Sequence, residues 1–159
     1  MKKRFVFALA FVLVLFVCAG AWADVAINEA NFPDDMFRLY VQYFIAGGDS
    51  ILTTEQAEGV LRMYDLAGLG ITSLKGIEHF PNLRGLDCSN NDLTELDISG
   101  NPNLISLNCS YNKLTELDVS AHPNFVQLFC ASNDLTELDT SGQKQSSVPS
   151  LLREQAHGS

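Results

Sequence analysis

Cys88, Cys109 and Cys130 stand 21 residues apart, and other positions share that spacing. The same interval separates Leu83, Leu104 and Phe125; Leu86, Leu107 and Leu128; Asn91, Asn112 and Asn133. It continues through Leu93, Leu114 and Leu135, then Leu96, Leu117 and Leu138. Written out, LRGLDCSNNDLTELDISGNPN is followed by LISLNCSYNKLTELDVSAHPN and then FVQLFCASNDLTELDTSG. Successive segments that agree at so many positions are copies of one structural unit. A unit this short cannot enclose a core alone, so each copy must bury its apolar face against the next.

Each repeated position has a physical task. Leu83, Leu86 and Cys88 alternate inward along a short strand, which pairs in parallel with the same strand of the next coil. Asn91, Asn112 and Asn133 turn the chain, and their amides bond backbone groups that the turn would otherwise bury unsatisfied. Leu93, Leu96 and Ile98 close the coil from its other side. Upstream, LRMYDLAGLGITSLKGIEHFPN reads as a 22-residue first coil with Tyr64, Leu66, Ile71, Leu74, Ile77 and Phe80 inward. The array then has about four coils, above the ~3 that stacking needs.

The row of Cys88, Cys109 and Cys130 reads as structural. A free thiol packs as a small hydrophobe and is among the most buried side chains. Side chains in register on adjacent strands run parallel at ~4.8 Å, so they neither converge on a metal nor favour a disulfide. A tetrahedral zinc site usually takes four ligands at short range, and His79, His122 and His157 share no partner spacing. No metal and no cofactor are expected.

Charge narrows the function. The 159 residues carry 19 acidic and 10 basic side chains, a formal charge of −9. Nucleic acid and anionic membrane surfaces reward clustered Lys and Arg, so a chain this acidic is a poor candidate for either, and no nucleic-acid partner is expected. Lys2, Lys3 and Arg4 open the chain, residues 5–17 are almost unbroken apolar sequence, and Ala21-Trp22-Ala23 ends it with small residues where a signal peptidase reads. The run is shorter than the ~20 residues of a membrane span. Residues 1–23 are therefore read as a secretory signal cleaved after Ala23, leaving a chain that starts at Asp24 with no membrane span. A retained N-terminal anchor is the alternative; acylation of Cys18 is disfavoured by the bulky Val17 before it.

The strand pattern L-x-x-L-x-L-x-x-N-x-L, with Cys in place of the third Leu, is that of leucine-rich repeats. The chain resembles the bacterial internalin-like leucine-rich-repeat proteins with a cysteine in the strand, of the internalin J type. The resemblance covers residues 24–142 and is strongest from Leu83 on. It implies an α/β repeat: a short solenoid of parallel strands behind an N-terminal helix-loop-helix cap. The division it suggests is 1–23 signal, 24–61 cap, 62–142 repeats, and 143–159 a tail or short cap. It also implies a protein partner, bound outside the cell and often in adhesion.

In the cap segment, Pro33 suits a helix first turn, and Met36, Phe37, Tyr40, Val41 and Phe44 follow a helical stripe. Thr53 with Gln56 three residues on is a capping-box signature for a second helix. In related proteins the connection looks like a calcium-binding loop; here the matching stretch is IAGGDSILTTEQ. Oxygen ligands are wanted at loop positions 1, 3, 5 and 12, with Gly at 6. This chain offers Ile45, Gly47, Asp49 and Gln56, with Ser50 in the Gly place, so calcium binding is not expected.

The binding surface should lie on the outward strand positions, with Asp87, Asn90, Asn108, Tyr111, Gln127 and Phe129 as its candidates. Ser89, Ser110 and Ser132 should point the same way, and Tyr111 and Phe129 are the exposed aromatics expected there. Glu95, Glu116 and Glu137 form a solvated row on the other side, while Asp97, Asp118 and Asp139 bond their local turns. No Gly-rich phosphate loop, acid/base pair with His or nucleophile elbow appears, so catalysis is not expected. The alternative to adhesion is a structural envelope protein docking on neighbouring surface proteins. Beyond Asp139, Val148, Pro149, Leu151 and Leu152 form either a short helix over the last coil or part of a flexible tail; a truncated longer array is a further reading.

Overall fold

The computed structural model describes residues 23–136 and residue 138. Expectations for residues 1–22, for Glu137 and Asp139, and for 140–159, His157 included, lie outside the described residues.

The described chain opens with β1 (Val25–Ala26), which runs antiparallel to β2 (Ile51–Leu52) with Val25 opposite Leu52. Between them lies α1 (Asp35–Tyr40), continued by a wider π turn at Val41–Ile45. Asp34 starts the helix: its Oδ1 accepts the Phe37 N–H at 2.9 Å. Pro33 thus precedes the cap and does not occupy the first turn, because the carboxylate satisfies the open N–H group. The anticipated stripe also needs correction. Phe37 and Val41 are buried, but Met36 is exposed and Phe44 is 80% exposed, stacked on the half-buried Tyr40 at 5.4 Å. A π turn fits an extra residue into the helix, so a 3.6-residue period that aligns Phe44 with Phe37 breaks there. α2 (Thr54–Gly59) starts with a reciprocal cap: Thr53 Oγ1 accepts the Gln56 N–H and Gln56 Oε1 accepts the Thr53 N–H.

The repeats then build one parallel sheet in the order β3 (Arg62–Met63), β4 (Gly85–Asp87), β5 (Ser106–Asn108) and β6 (Gln127–Phe129). Leu86 lies opposite Leu107, which lies opposite Leu128. Leu83, Leu86, Leu93, Leu96 and Ile98 are buried, as are Leu104, Leu107, Leu114, Leu117 and Val119 from the next coil. The first coil departs from the period. Met63 pairs with Leu86, 23 residues on, yet the Asn91 amide reaches the Leu66 carbonyl 25 residues back, where Asn112 and Asn133 reach back 24. One extra residue therefore sits between Met63 and Leu66, and it bulges the chain outward. Tyr64, expected inward, is 47% exposed; Leu66, Ile71, Leu74, Ile77 and Phe80 are buried.

Side-chain amides bind coil to coil. Asn112 donates to the carbonyls of Cys88 and Cys109, both at 3.0 Å, and accepts the Leu93 N–H. Asn91 does the same for Leu66, Cys88, Leu69 and Ile71, and Asn133 for Cys109, Cys130 and Leu114. A second buried row follows the first: Asn101 donates to the Ile77 and Phe80 carbonyls, and His122 Nε2–H donates to the Asn101 carbonyl at 3.0 Å. At the array's first coil, Asp34 Oδ2 accepts the Thr72 N–H at 2.8 Å and the Thr72 hydroxyl at 3.0 Å. Burial would raise the Asp34 pKa, but the hydrogen bonds from Phe37, Thr72 and Met36 outweigh it and lower the pKa below the usual carboxylate range.

Candidate functional site

The outward face of β3–β6 carries three kinds of side chain. The first kind is spent on the frame. Asp87 Oδ1 accepts the Ser89 N–H and hydroxyl at 3.0 and 2.7 Å, and its Oδ2 accepts the Asn108 amide at 3.1 Å. Asn108 in turn accepts the Ser110 N–H. Ser89 and Ser110, expected to point outward, are buried, because these bonds fold the strand exits back on Asp87 and Asn108. Gln127 stays exposed, with Oε1 accepting the Ser106 hydroxyl at 3.1 Å.

The second kind is aromatic and free. Phe129 ends β6 at 36% exposure, and Tyr111, in the turn after β5, is 60% exposed. Tyr64 joins them. A Cβ on Gly85 would lie 2.4 Å from the Tyr64 hydroxyl, so its ring lies against the backbone of β4. Sequence reasoning missed Tyr64 because an irregular first coil looks regular until the extra residue is counted.

The third kind comes from the turns. Asn90, Tyr111 and Ser132 are the non-glycine residues with positive φ among those described, at 56°, 58° and 55°. They recur every 21 residues, so the left-handed turn belongs to the repeat. Asn tolerates this conformation, whereas for a bulky side chain it is an outlier. Also exposed are Arg62 in β3 and Arg84, Ile105 and Val126 just before the later strands, none of which the pattern of inward Leu positions marks.

The thiols lie beneath this face. Cys88 and Cys109 are fully buried and Cys130 is half-buried; all three are free. The Cys88 and Cys109 thiols sit 3.5 Å from the carbonyls of Asn108 and Phe129 on the following strand. Burial, with the nearby Asp87 charge, pushes the Cys88 pKa up to about 12. Burial also raises Cys109 well above its ordinary value, helped by its two neighbouring cysteines, and raises Cys130. Among the described residues no three His, Cys, Asp or Glu side chains gather as metal ligands. On the opposite side Asp97 and Asp118 accept the Ser99 and Ser120 N–H groups at 2.9 and 2.8 Å, and the serine hydroxyl and N–H bonds lower both pKa values.

Neither a family model nor a curated protein matches the sequence. Solved structures do. The functional domain of InlJ from Listeria monocytogenes, described as including a cysteine ladder, is 35% identical over 77% of this chain, with a TM-score of 0.68. The internalin InlF from Listeria monocytogenes superposes over 72% of this chain with a TM-score of 0.66; at 22% identity it bears on the fold alone. The chain spans 27% of the InlJ structure and 34% of InlF. Parallel strands one per coil, amide-tied turns and this likeness lead to the same place: the chain is an internalin-like leucine-rich-repeat protein.

Proposed function

We propose that this chain is an exported binding module that engages a protein partner through the outward face of β3–β6, at the cell surface or in secreted form, in adhesion and without turnover. Asp87, Asn108 and Gln127 set the face's shape, while Tyr111 and Phe129, with Asn90 at the rim, make the contacts. Cys88, Cys109 and Cys130 are its structural ladder, with the asparagine row Asn91, Asn112 and Asn133. The reading assigns no role to calcium, cofactor or nucleic acid. Export rests on residues 1–23 with their basic start and apolar run. No helix among the described residues is long and apolar enough to cross a membrane.

One observation carries the reading. Tyr111 holds a left-handed backbone at φ 58° and leaves its ring 60% exposed. That conformation costs an L-residue roughly 1–2 kcal/mol, and the two equivalent turns use Asn90 and Ser132. No hydrogen bond or ring contact of this side chain among the described residues offsets the cost. An exposed aromatic kept at a conformational loss is understandable as a contact residue.

The test is Tyr111→Asn with Phe129→Ala as companion. Tyr111→Asn should leave stability unchanged or raise it by up to ~1 kcal/mol, while capture of surface proteins from host tissue falls in both variants. Undiminished capture by both would remove this face from the proposal. Capture confined to proteins of the producing cells would favour a docking role in the envelope.

A further inference from the structure

Basic side chains are scarce on this acidic molecule. The described residues hold Arg38, Arg62, Lys75, Arg84 and Lys113. Arg38 pairs with Asp35, and Lys113 pairs with Asp92 at 2.6 Å. Arg62 and Arg84 are exposed and form no ion pair among the described residues. They are neighbours: Arg62 lies opposite Gly85 in the sheet, and the Arg84 N–H bonds the Leu61 carbonyl at 2.9 Å. Tyr64, two residues after Arg62, lays its ring over Gly85. Two like charges on strands ~4.8 Å apart repel, and the acidic excess of the chain does not neutralise them by contact.

The row continues differently. Ile105 bonds the Arg84 carbonyl at 3.0 Å and Val126 bonds the Ile105 carbonyl at 2.7 Å, so both stand in the line of Arg84 on successive coils. Both are exposed and apolar. Leu61, also exposed, holds the corresponding place before Arg84, with Arg62 the next residue along, so the two guanidiniums lie on the first two coils and the apolar Ile105 and Val126 on the last two. From first coil to last this crosses three strand spacings, ~14 Å, about the reach of four extended residues.

We infer that the partner presents an extended polypeptide segment that is acidic at one end and apolar at the other, its carboxylates on Arg62 and Arg84 and its apolar side chains on Ile105 and Val126. This rests on the reading of the sheet face as the binding surface. Guanidinium forks take carboxylates in paired hydrogen bonds. A polypeptide fits better than a sulfated polysaccharide, because a uniform polyanion has nothing to place on the apolar half and would meet the molecule's acidic excess.

Synthetic peptides with a three-glutamate head and a leucine-valine tail, with glutamine-headed and scrambled versions, would be titrated against the intact protein by fluorescence anisotropy. The acidic-apolar peptide should bind best, losing about tenfold or more when its head becomes glutamine and weakening as salt rises. R62E/R84E should abolish that preference with an unchanged thermal midpoint, since both residues are exposed. Equal binding of acidic and glutamine heads, indifferent to R62E/R84E, would overturn the inference while leaving the binding-face reading intact. So would absence of peptide binding at millimolar concentration, or retention of heparin in its place. The binding-face reading itself fails separately, if Tyr111→Asn and Phe129→Ala leave partner capture undiminished.

Discussion

The two ends of the array are built from similar coils and finished differently. At the first end, the segment before the repeats packs on the coil: Phe32 is fully buried, its ring 5.6 Å from His79, and Asp34 bonds Thr72. At the other end, β6 has a paired strand on one side among the described residues. There Cys130, Asn133, Leu135 and Leu138 are half-buried, although their counterparts one and two coils earlier are buried. Repeat identity thus does not fix burial. A coil supplies one wall of a core, and the neighbour supplies the other.

That contrast can be broken at three strengths. The largest effect should come from truncating the same kind of leucine in the middle and at the end. Leu107→Ala should cost about 3 kcal/mol or more in denaturant unfolding, because its cavity is sealed on both sides; Leu135→Ala should cost less than about 1.5 kcal/mol. Equal losses would mean that the last coil is as well covered as the central ones.

The next effect lies at the first end. Asp34→Ala removes a helix cap and leaves the Thr72 N–H without its partner, which should cost about 2 kcal/mol. The Asp34 pKa is lowered in the folded state, so its contribution is present above the unfolded value of about 4 and is lost as pH falls through the folded value. Unfolding measured from pH 6 downward should therefore show the wild type approaching the variant in acid. A gap that stays constant below pH 4 would show that the carboxylate's charge is not what holds the contact.

The smallest effect concerns the thiols. Cys130→Ser should change stability by less than about 1 kcal/mol, yet Cys130 should be labelled by a thiol reagent first in the native state. Cys109 and Cys88, buried and with raised pKa values, should react only on unfolding. A peptide map after native labelling would show the order, and prompt modification of Cys109 would contradict a sealed middle.

Much of the array is readable from spacing, because the period fixes both the buried leucines and the asparagines that tie the turns. The misreadings arise where one residue breaks a period. The π turn at Val41–Ile45 leaves Phe44 in solvent, and the extra residue before Leu66 turns Tyr64 outward. Ser89 and Ser110 depart from the pattern for another reason: a short hydroxyl or N–H beside Asp87 or Asn108 is withdrawn from the face by a bond that periodicity does not encode. Arg62 and Arg84 are not legible in the sequence, because no pattern of apolar residues marks a charge that lacks a partner.

The asparagine row makes growth of such a chain directional. Each amide completes the carbonyls of its own coil and the one before it. A duplicated 21-residue segment therefore arrives already carrying the fastening for its predecessor, so whole units are the natural increment of length. A single inserted residue is harmless only where no amide must reach across it at fixed distance. The stretch between Met63 and Leu66 is such a place, and it is also where a new side chain is delivered straight to the outer face.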